Sequence, residues 1–269
     1  MHRIGAYLLV GTLLSIAQVA SPSPLRAQTP VDLELVLAVD VSGSMDRDEQ
    51  TIQRRGYVEA FSHPDIVNAV RSGPFGRIAV TYVEWAGPAA QSVTVPWSLI
   101  EDHGTAEAFA ARLAEASIAR IRGTSISGAM MFTAPLFAAN DYQGLRRVID
   151  ISGDGPNNAG APVVPAREAV VDAGIVINGL PIAIKAPGYS AIGGSDLVAY
   201  YRDCVIGGPG AFVIPVTEPA QLAEAIRRKL VLEIAGQPPQ LILAAQSAEP
   251  ASMECTIGER LRRMWEREP

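Results

Sequence analysis

VDLELVLAVDVSGSM, residues 31–45, runs from a stretch dense in Val and Leu into a turn of small polar residues. The next segment, RDEQTIQRRGYVEAFSH (47–63), has its apolar residues at helical spacing. That order, strand, loop, helix, recurs along the chain. GRIAVTYVEWA (76–86) and QSVTVPWSLI (91–100) are rich in β-branched and aromatic residues, and Gly87-Pro88 between them suits a hairpin. TAEAFAARLAEASIAR (105–120) predicts an amphipathic helix opened by Thr105, and residues 125–139 predict another. RRVIDISG (146–153) is a strand, VPAREAVVDAG (164–174) a helix with a glycine stop, and IVINGLPIAI (175–184) a strand. SDLVAYYRDC (195–204) is helical, GAFVIPV (210–216) is a strand, and EPAQLAEAIRRKLVLEIAG (218–236) is a helix. Strands nearly continuous in Val, Ile and Leu, alternating with helices, define a doubly wound α/β domain over residues 31–236. Its sheet is mainly parallel, with helices on both faces and one antiparallel edge strand.

Flanking segments differ in character. Residues 1–27 carry Arg3, an apolar run from Ile4 to Ala20 and then prolines, the layout of a secretory signal peptide cut after Ala27 or Ala20. The run is short for a membrane span, and after cleavage none is expected. Residues 237–269 form a tail in which LILAA (241–245) adds a short strand and CTIGERLRRMWERE (255–268) a short charged helix. Arg262, Arg263 and Arg267 interleave there with Glu259, Glu266 and Glu268, the pattern of a solvated face.

Composition narrows the function classes. The chain has 269 residues, 48% of them apolar, enough to bury a full core. Its 22 Lys+Arg stand against 28 Asp+Glu, a formal charge of −6, and loss of residues 1–27 removes Arg3 and Arg26 and no acid. No basic cluster offsets that excess, so nucleic acid is excluded as a partner. Cys204 and Cys255 are the two cysteines. In an oxidising compartment they can pair; alternatively Cys204 is a buried apolar residue beside Tyr200 and Tyr201. Neither joins His63 or His103 in a spacing that binds zinc.

In doubly wound sheets, ligands sit beyond the carboxyl ends of the strands. Three loops fall there: Asp40-Val41-Ser42-Gly43-Ser44, Gly123-Thr124-Ser125-Ile126-Ser127-Gly128, and Gly153-Asp154-Gly155-Pro156-Asn157-Asn158. They supply two carboxylates and several hydroxyls, with no sulfur or imidazole. An all-oxygen set selects a hard divalent cation. Alternate spacing at 40, 42 and 44 lets one turn aim three side chains at a point, and Gly43 permits the curvature.

These three pieces together resemble the von Willebrand factor A (vWA) domain family. AVDVSGSM is similar to its Asp-x-Ser-x-Ser opening, IRGTSISGAM to its second loop and ISGDGPNN to its Thr-Asp-Gly loop. The resemblance implies a metal-ion-dependent adhesion site in which Asp40, Ser42, Ser44, Thr124 and Asp154 hold Mg²⁺ or Mn²⁺. An acidic residue of a protein partner would complete the shell. Ser152 and Ile126 depart from threonines frequent in the family. The leader and the YYRDCVIGGPGAF segment further resemble an uncharacterised exported bacterial group of such domains, implying a periplasmic or secreted location.

A metal-dependent hydrolase of phosphatase type is the rival expectation, with Asp40 as nucleophile. The phosphatase Asp-x-Asp pattern requires an acid where this chain has Ser42. No general base falls in the three loops, since His63, His103, Lys185 and Lys229 lie outside them, and a serine-hydrolase Gly-x-Ser-x-Gly is missing. A non-catalytic binding domain is therefore expected. Taken singly, Asp40 reads equally as a helix cap and Asp154-Gly155 as a turn. Asp46, Asp48 and Glu49 are expected to complement the dipole of the first helix, and Trp85 and Trp97 to pack in the core.

Overall fold

A computed structural model describes residues 28–118, 121–184, 192–236 and 253–267. The apolar opening run becomes β1 (Thr29–Asp40), and because Leu33, Leu35 and Leu37 face one side while Val36 and Ala38 face the other, it is buried on both. Each of the buried Leu and Val side chains contributes about 1.5–3 kcal/mol of burial free energy, which makes this strand the spine of the fold. β2 (Ile78–Trp85) pairs parallel to it on one side and β4 (Tyr142–Gly153) on the other. β3 (Gln91–Ile100) turns back antiparallel to β2 across the Gly87-Pro88 hairpin, and β5 (Val176–Pro181) lies parallel to β4. The sheet order is β3-β2-β1-β4-β5. The chain winds outward from β1 to β2 and β3, then restarts on the far side at β4. The point of reversal therefore lies between the carboxyl ends of β1 and β4.

One apolar layer gathers α1 (Arg47–Phe61), α2 (Pro64–Arg71), α3 (His103–Glu115) and α7 (Leu222–Ala235) over Leu33, Leu35 and Leu37. The other gathers α4 (Ile126–Thr133), α5 (Val163–Asp172) and α6 (Gly194–Tyr200) over Val36, Ala38, Ile149 and Ile151. α8 (Ile257–Trp265) joins this second layer through Ile257 and Leu261. Trp85 is fully buried and Trp97 packs against the same layer. Among the described residues no helix is long and apolar enough to cross a membrane.

Several local expectations change. α3 starts two residues before Thr105: Asp102 caps it and Thr105 serves at the third helical position, its hydroxyl accepting from the Asp102 N–H at 3.0 Å. α2 was not foreseen, although His63 caps it and Pro64 opens it. Residues 210–216 do not form a strand. Val213 and Val216 make single parallel bridges to Gly179 and Ile182, because Gly208 and Gly210 at positive φ and Pro215 interrupt a continuous ladder. After α6 the helix widens into a π turn over Tyr201–Val205. α7 ends at Gly236 with φ +68, and Arg146 donates to the terminal carbonyls of Glu233 and Ile234, 2.8 Å each. The proposed signal peptide and the expected strand at 241–245 lie outside the described residues.

Cys204 and Cys255 form a disulfide with Cα atoms 5.5 Å apart. It fastens the segment leading into α8 to the π turn.

Candidate metal centre

Asp40 ends β1 at the reversal point, and hydrogen bonds on both sides fix the turn that follows. The Val41 N–H donates to the Trp85 carbonyl at 2.9 Å, and Ser42 bridges in parallel to Ile121. Within the turn the Ser42 N–H donates to Asp40 Oδ1 at 2.7 Å. Ser42 Oγ and Ser44 Oγ lie 2.7 Å apart, and Ser44 Oγ donates to Asp154 Oδ1 at 2.6 Å. Three of the five expected ligands, Ser42, Ser44 and Asp154, thus form one line of oxygens, and Asp40 joins it through the Ser42 N–H. Thr124 reaches the same place from the second loop, lining with Ser44 a cavity of about 470 Å³.

The second and third loops are tied to each other. The Thr124 N–H donates to Asn158 Oδ1 at 3.0 Å, and its carbonyl accepts from the Asn158 N–H at 2.9 Å. Gly123 precedes it with φ +92, a conformation that L side chains rarely adopt. Asn157 Oδ1 accepts from the Ser127 N–H at 3.0 Å, and its Nδ2 donates to Glu259 Oε1 on α8 at 2.7 Å. Asn157 and Asn158, which in sequence read as an ordinary loop, are the clamps of the site.

Gly153 allows a further close approach. A Cβ there would stand 2.9 Å from both Asp40 Oδ2 and the Tyr201 hydroxyl. Tyr201 is fully buried, and its hydroxyl has no hydrogen-bond partner. Burial, and then the charge of Asp40, raise its pKa well above the ordinary phenol value. Nothing in the sequence marked it, since a Tyr-Tyr pair in a helical stretch reads as packing. From below, Gln50 Nε2 donates to the Ser42 carbonyl at 3.4 Å and Gln53 Nε2 to Ser152 Oγ at 3.0 Å. Ser152, one of the departures from the family pattern, is buried and hydrogen-bonded below the loops; Ile126, the other, is a core residue. Asp46 and Glu49 form a capping box on α1, with Asp48 in its first turn.

The electrostatics agree with the donor chemistry. Asp40 is fully buried, its Oδ2 has no hydrogen-bond partner, and Asp154 stands beside it. Burial, and then the Asp154 charge, push the Asp40 pKa up to about 8. Two neighbouring carboxylates and three hydroxyls, one carboxylate oxygen lacking a partner, fit a small divalent cation bound through oxygen, directly or through water.

The sheet order and its helical layers are those of the vWA-type α/β fold. The chain belongs to the family described as "Protein of unknown function (DUF1194)", whose model matches residues 30–238. No curated protein sequence matches it. Among solved structures it is similar to proximal thread matrix protein 1 of the mussel byssus, at 14% identity and a TM-score of 0.54, over 77% of this chain and 49% of that one. A second structure of that mussel protein, described as having a zinc-occupied metal-ion-dependent adhesion motif, superposes with a TM-score of 0.51 at 13% identity, over 76% of this chain and 46% of that one. The pilus adhesin SpaC of Lactobacillus rhamnosus GG gives 12% identity and a TM-score of 0.54, over 76% of this chain and 30% of the adhesin. The vWF domain of the type V pili tip protein Mfa5 from Porphyromonas gingivalis gives 9% and 0.51, over 82% and 98%. The chain thus spans about half of the mussel protein and about a third of the pilus adhesin.

Proposed function

We propose that this protein is a non-catalytic vWA-type binding module. It holds Mg²⁺ or Mn²⁺ through Asp40, Ser42, Ser44, Thr124 and Asp154, and uses the ion to bind an acidic group of a protein partner. The observation that carries this reading is the buried, unpartnered Asp40 Oδ2 beside Asp154, at the head of a chain of hydroxyls. A bound cation offsets the two negative charges and offers an open coordination position to a carboxylate. The protein's own part is to hold its oxygens in place beforehand, through Asn157, Asn158, Gln50 and the β1 and β2 backbones, so that little is reorganised on binding. Both described histidines are engaged elsewhere, His63 with Arg227 and Asp65 and His103 with Glu107, which supports binding over hydrolysis. Solved structures of the fold include a mussel matrix protein and pilus proteins, consistent with a role in protein contacts. We assign residues 1–27 to export, residues 31–236 to the module and residues 237–269 to a tail, in a bacterial periplasm or secreted.

Calorimetric titration of chelator-treated protein with Mg²⁺ and Mn²⁺, beside Thr124→Ala, tests the reading. One saturable site in the parent, lost in the variant while the circular dichroism spectrum is kept, supports it. Equal heats from parent and variant would refute it.

A further inference from the structure

The cavity beside the metal loops has one charged lining residue, Arg122. A second cavity, of about 330 Å³, shares Arg122, Gly123 and Asn158 with the first, and Arg262 of α8 contributes to its wall. No acidic side chain lines either cavity, in a chain with 28 Asp+Glu against 22 Lys+Arg. Arg122, and Arg262 with part of its guanidinium turned to Glu266, therefore present hydrogen-bond donors on an acidic protein beside the loops that carry Ser44 and Thr124.

Arg262 is held there by the way α8 is seated. The Cys204–Cys255 disulfide fixes the approach to the helix, and the Met253 N–H donates to Asp203 Oδ2 at 3.2 Å. Gly258 lies so close to the third loop that a Cβ on it would stand 2.2 Å from the Asn157 carbonyl oxygen. Glu259 accepts from Asn157 at 2.7 Å. Arg262 donates through Nε to Glu266 at 2.8 Å and through Nη1 to the Asn158 carbonyl at 3.5 Å, which leaves Nη2 without a partner among the described residues. The exposed Arg122 side chain makes no hydrogen bond or ion pair with a described residue.

We propose that Arg122 and Arg262 form a carboxylate-binding subsite next to the metal, and that the partner is a peptide segment presenting two acidic side chains. One completes the metal shell; the other lies between the guanidinium groups, where charge-assisted hydrogen bonds offset the repulsion of two like charges. The C-terminal helix is then part of the binding face rather than an inert tail. The proposal rests on the metal-dependent reading above.

The test uses two kinds of synthetic peptide in a Gly/Ser background, one with a single Asp and a set with two Asp separated by one to five residues. Their affinity is measured by fluorescence polarisation at saturating Mg²⁺, and Mg²⁺ binding alone by calorimetry. The expected result is that at least one two-Asp spacing binds about tenfold tighter than the single-Asp peptide. In the Arg122→Ala/Arg262→Ala double variant that advantage falls below about twofold, while Mg²⁺ affinity and single-Asp binding stay at the parent level. No advantage at any spacing, or an advantage unchanged in the double variant, overturns the subsite and leaves the metal reading standing. Absence of Mg²⁺ binding in the parent overturns both, and the calorimetric arm identifies that failure separately.

Discussion

Ser44 Oγ donates to Asp154 Oδ1 at 2.6 Å across 110 residues of sequence, joining the loop after β1 to the loop after β4. The bond closes the line of oxygens that begins at Asp40, and it places two carboxylates in one partly dry pocket. Such a pair is unfavourable to the fold unless a cation is present, because Asp40, its pKa pushed up to about 8, must either take up a proton on folding at neutral pH or stand ionised and poorly solvated beside Asp154. Asp40→Asn should therefore raise the thermal midpoint in chelator, by the equivalent of about 1–2 kcal/mol. The same substitution should abolish the rise that Mg²⁺ gives the parent by mass action. Thermal shift with and without Mg²⁺ reads both. A variant that is less stable in chelator yet still responds to Mg²⁺ would show that Asp40 is a structural cap.

Gly153 offers a steric probe of the same pocket. Alanine there pushes a methyl group against Asp40 Oδ2 and the Tyr201 hydroxyl, both 2.9 Å from the built Cβ position. Both groups are fully buried, so the methyl group is accommodated only by displacing one of them, and any displacement of Asp40 disturbs the candidate ligand set directly. The expected cost is about 1–3 kcal/mol of stability, with at least a tenfold loss of Mg²⁺ affinity. Gly155→Ala is the control, since nothing lies within 4 Å of its Cβ position. Denaturant titration and calorimetry on both variants decide it; equal behaviour of the two would remove the steric account.

Much of this was legible in the sequence because the signals were local. The strand-loop-helix order around Asp40 and the three oxygen-rich loops follow from apolar runs broken by Gly, Ser and Asp, and the loops do meet. What was not legible depends on distant packing. Tyr201 becomes part of the site only because the π turn carries it over Gly153, and Asn157 and Asn158 become clamps only once the second loop lies beside them. Residues 210–216 carry the composition of a strand, yet they run along an edge where positive-φ glycines and Pro215 break the ladder. Glu259 reads in sequence as one charge of a solvated face, whereas the docking of α8 brings it to Asn157.

The disulfide carries that docking. Joining Cys204 to Cys255 closes a loop of 51 residues, which on the chain-entropy model contributes about 4 kcal/mol. Cys255→Ser should lower the unfolding free energy by about that amount. It should also loosen α8 from the third loop, because the remaining ties are Glu259 to Asn157, the Met253 N–H to Asp203, long contacts from Arg262 and the Tyr200 hydroxyl, and a few apolar side chains such as Ile257 and Leu261. Limited proteolysis should then cut within residues 253–267 at least tenfold faster than in the parent, while the sheet survives. Unchanged cleavage would mean that packing alone holds the helix.

Away from the candidate site, Lys229 is fully buried between Asp150 of β4 and Glu233 of α7, 2.5 Å from each. Asn178 of β5 donates to Glu233 Oε1 at 2.9 Å, and the Phe212 ring lies 5.5 Å from the ammonium. Tyr57 of α1 and Arg146 of β4 complete the polar surroundings. Two carboxylates share one ammonium, so one negative charge is left over. Burial, and then the Asp150 charge, push Glu233 from 4.5 up to about 7, and burial raises Asp150 as well. A carboxyl whose pKa is raised on folding favours the native state below its unfolded value and withdraws that contribution as pH rises through the folded value. Glu233 should thus cost stability progressively from about pH 4.5 to about pH 7. Glu233→Gln keeps an oxygen for Asn178 and leaves Lys229 paired with Asp150. Its stability should match the parent near pH 4.5 and exceed it at pH 8 by of order 1–3 kcal/mol. Urea unfolding of both proteins at several pH values measures the difference; parallel pH profiles would show that folding does not raise the Glu233 pKa.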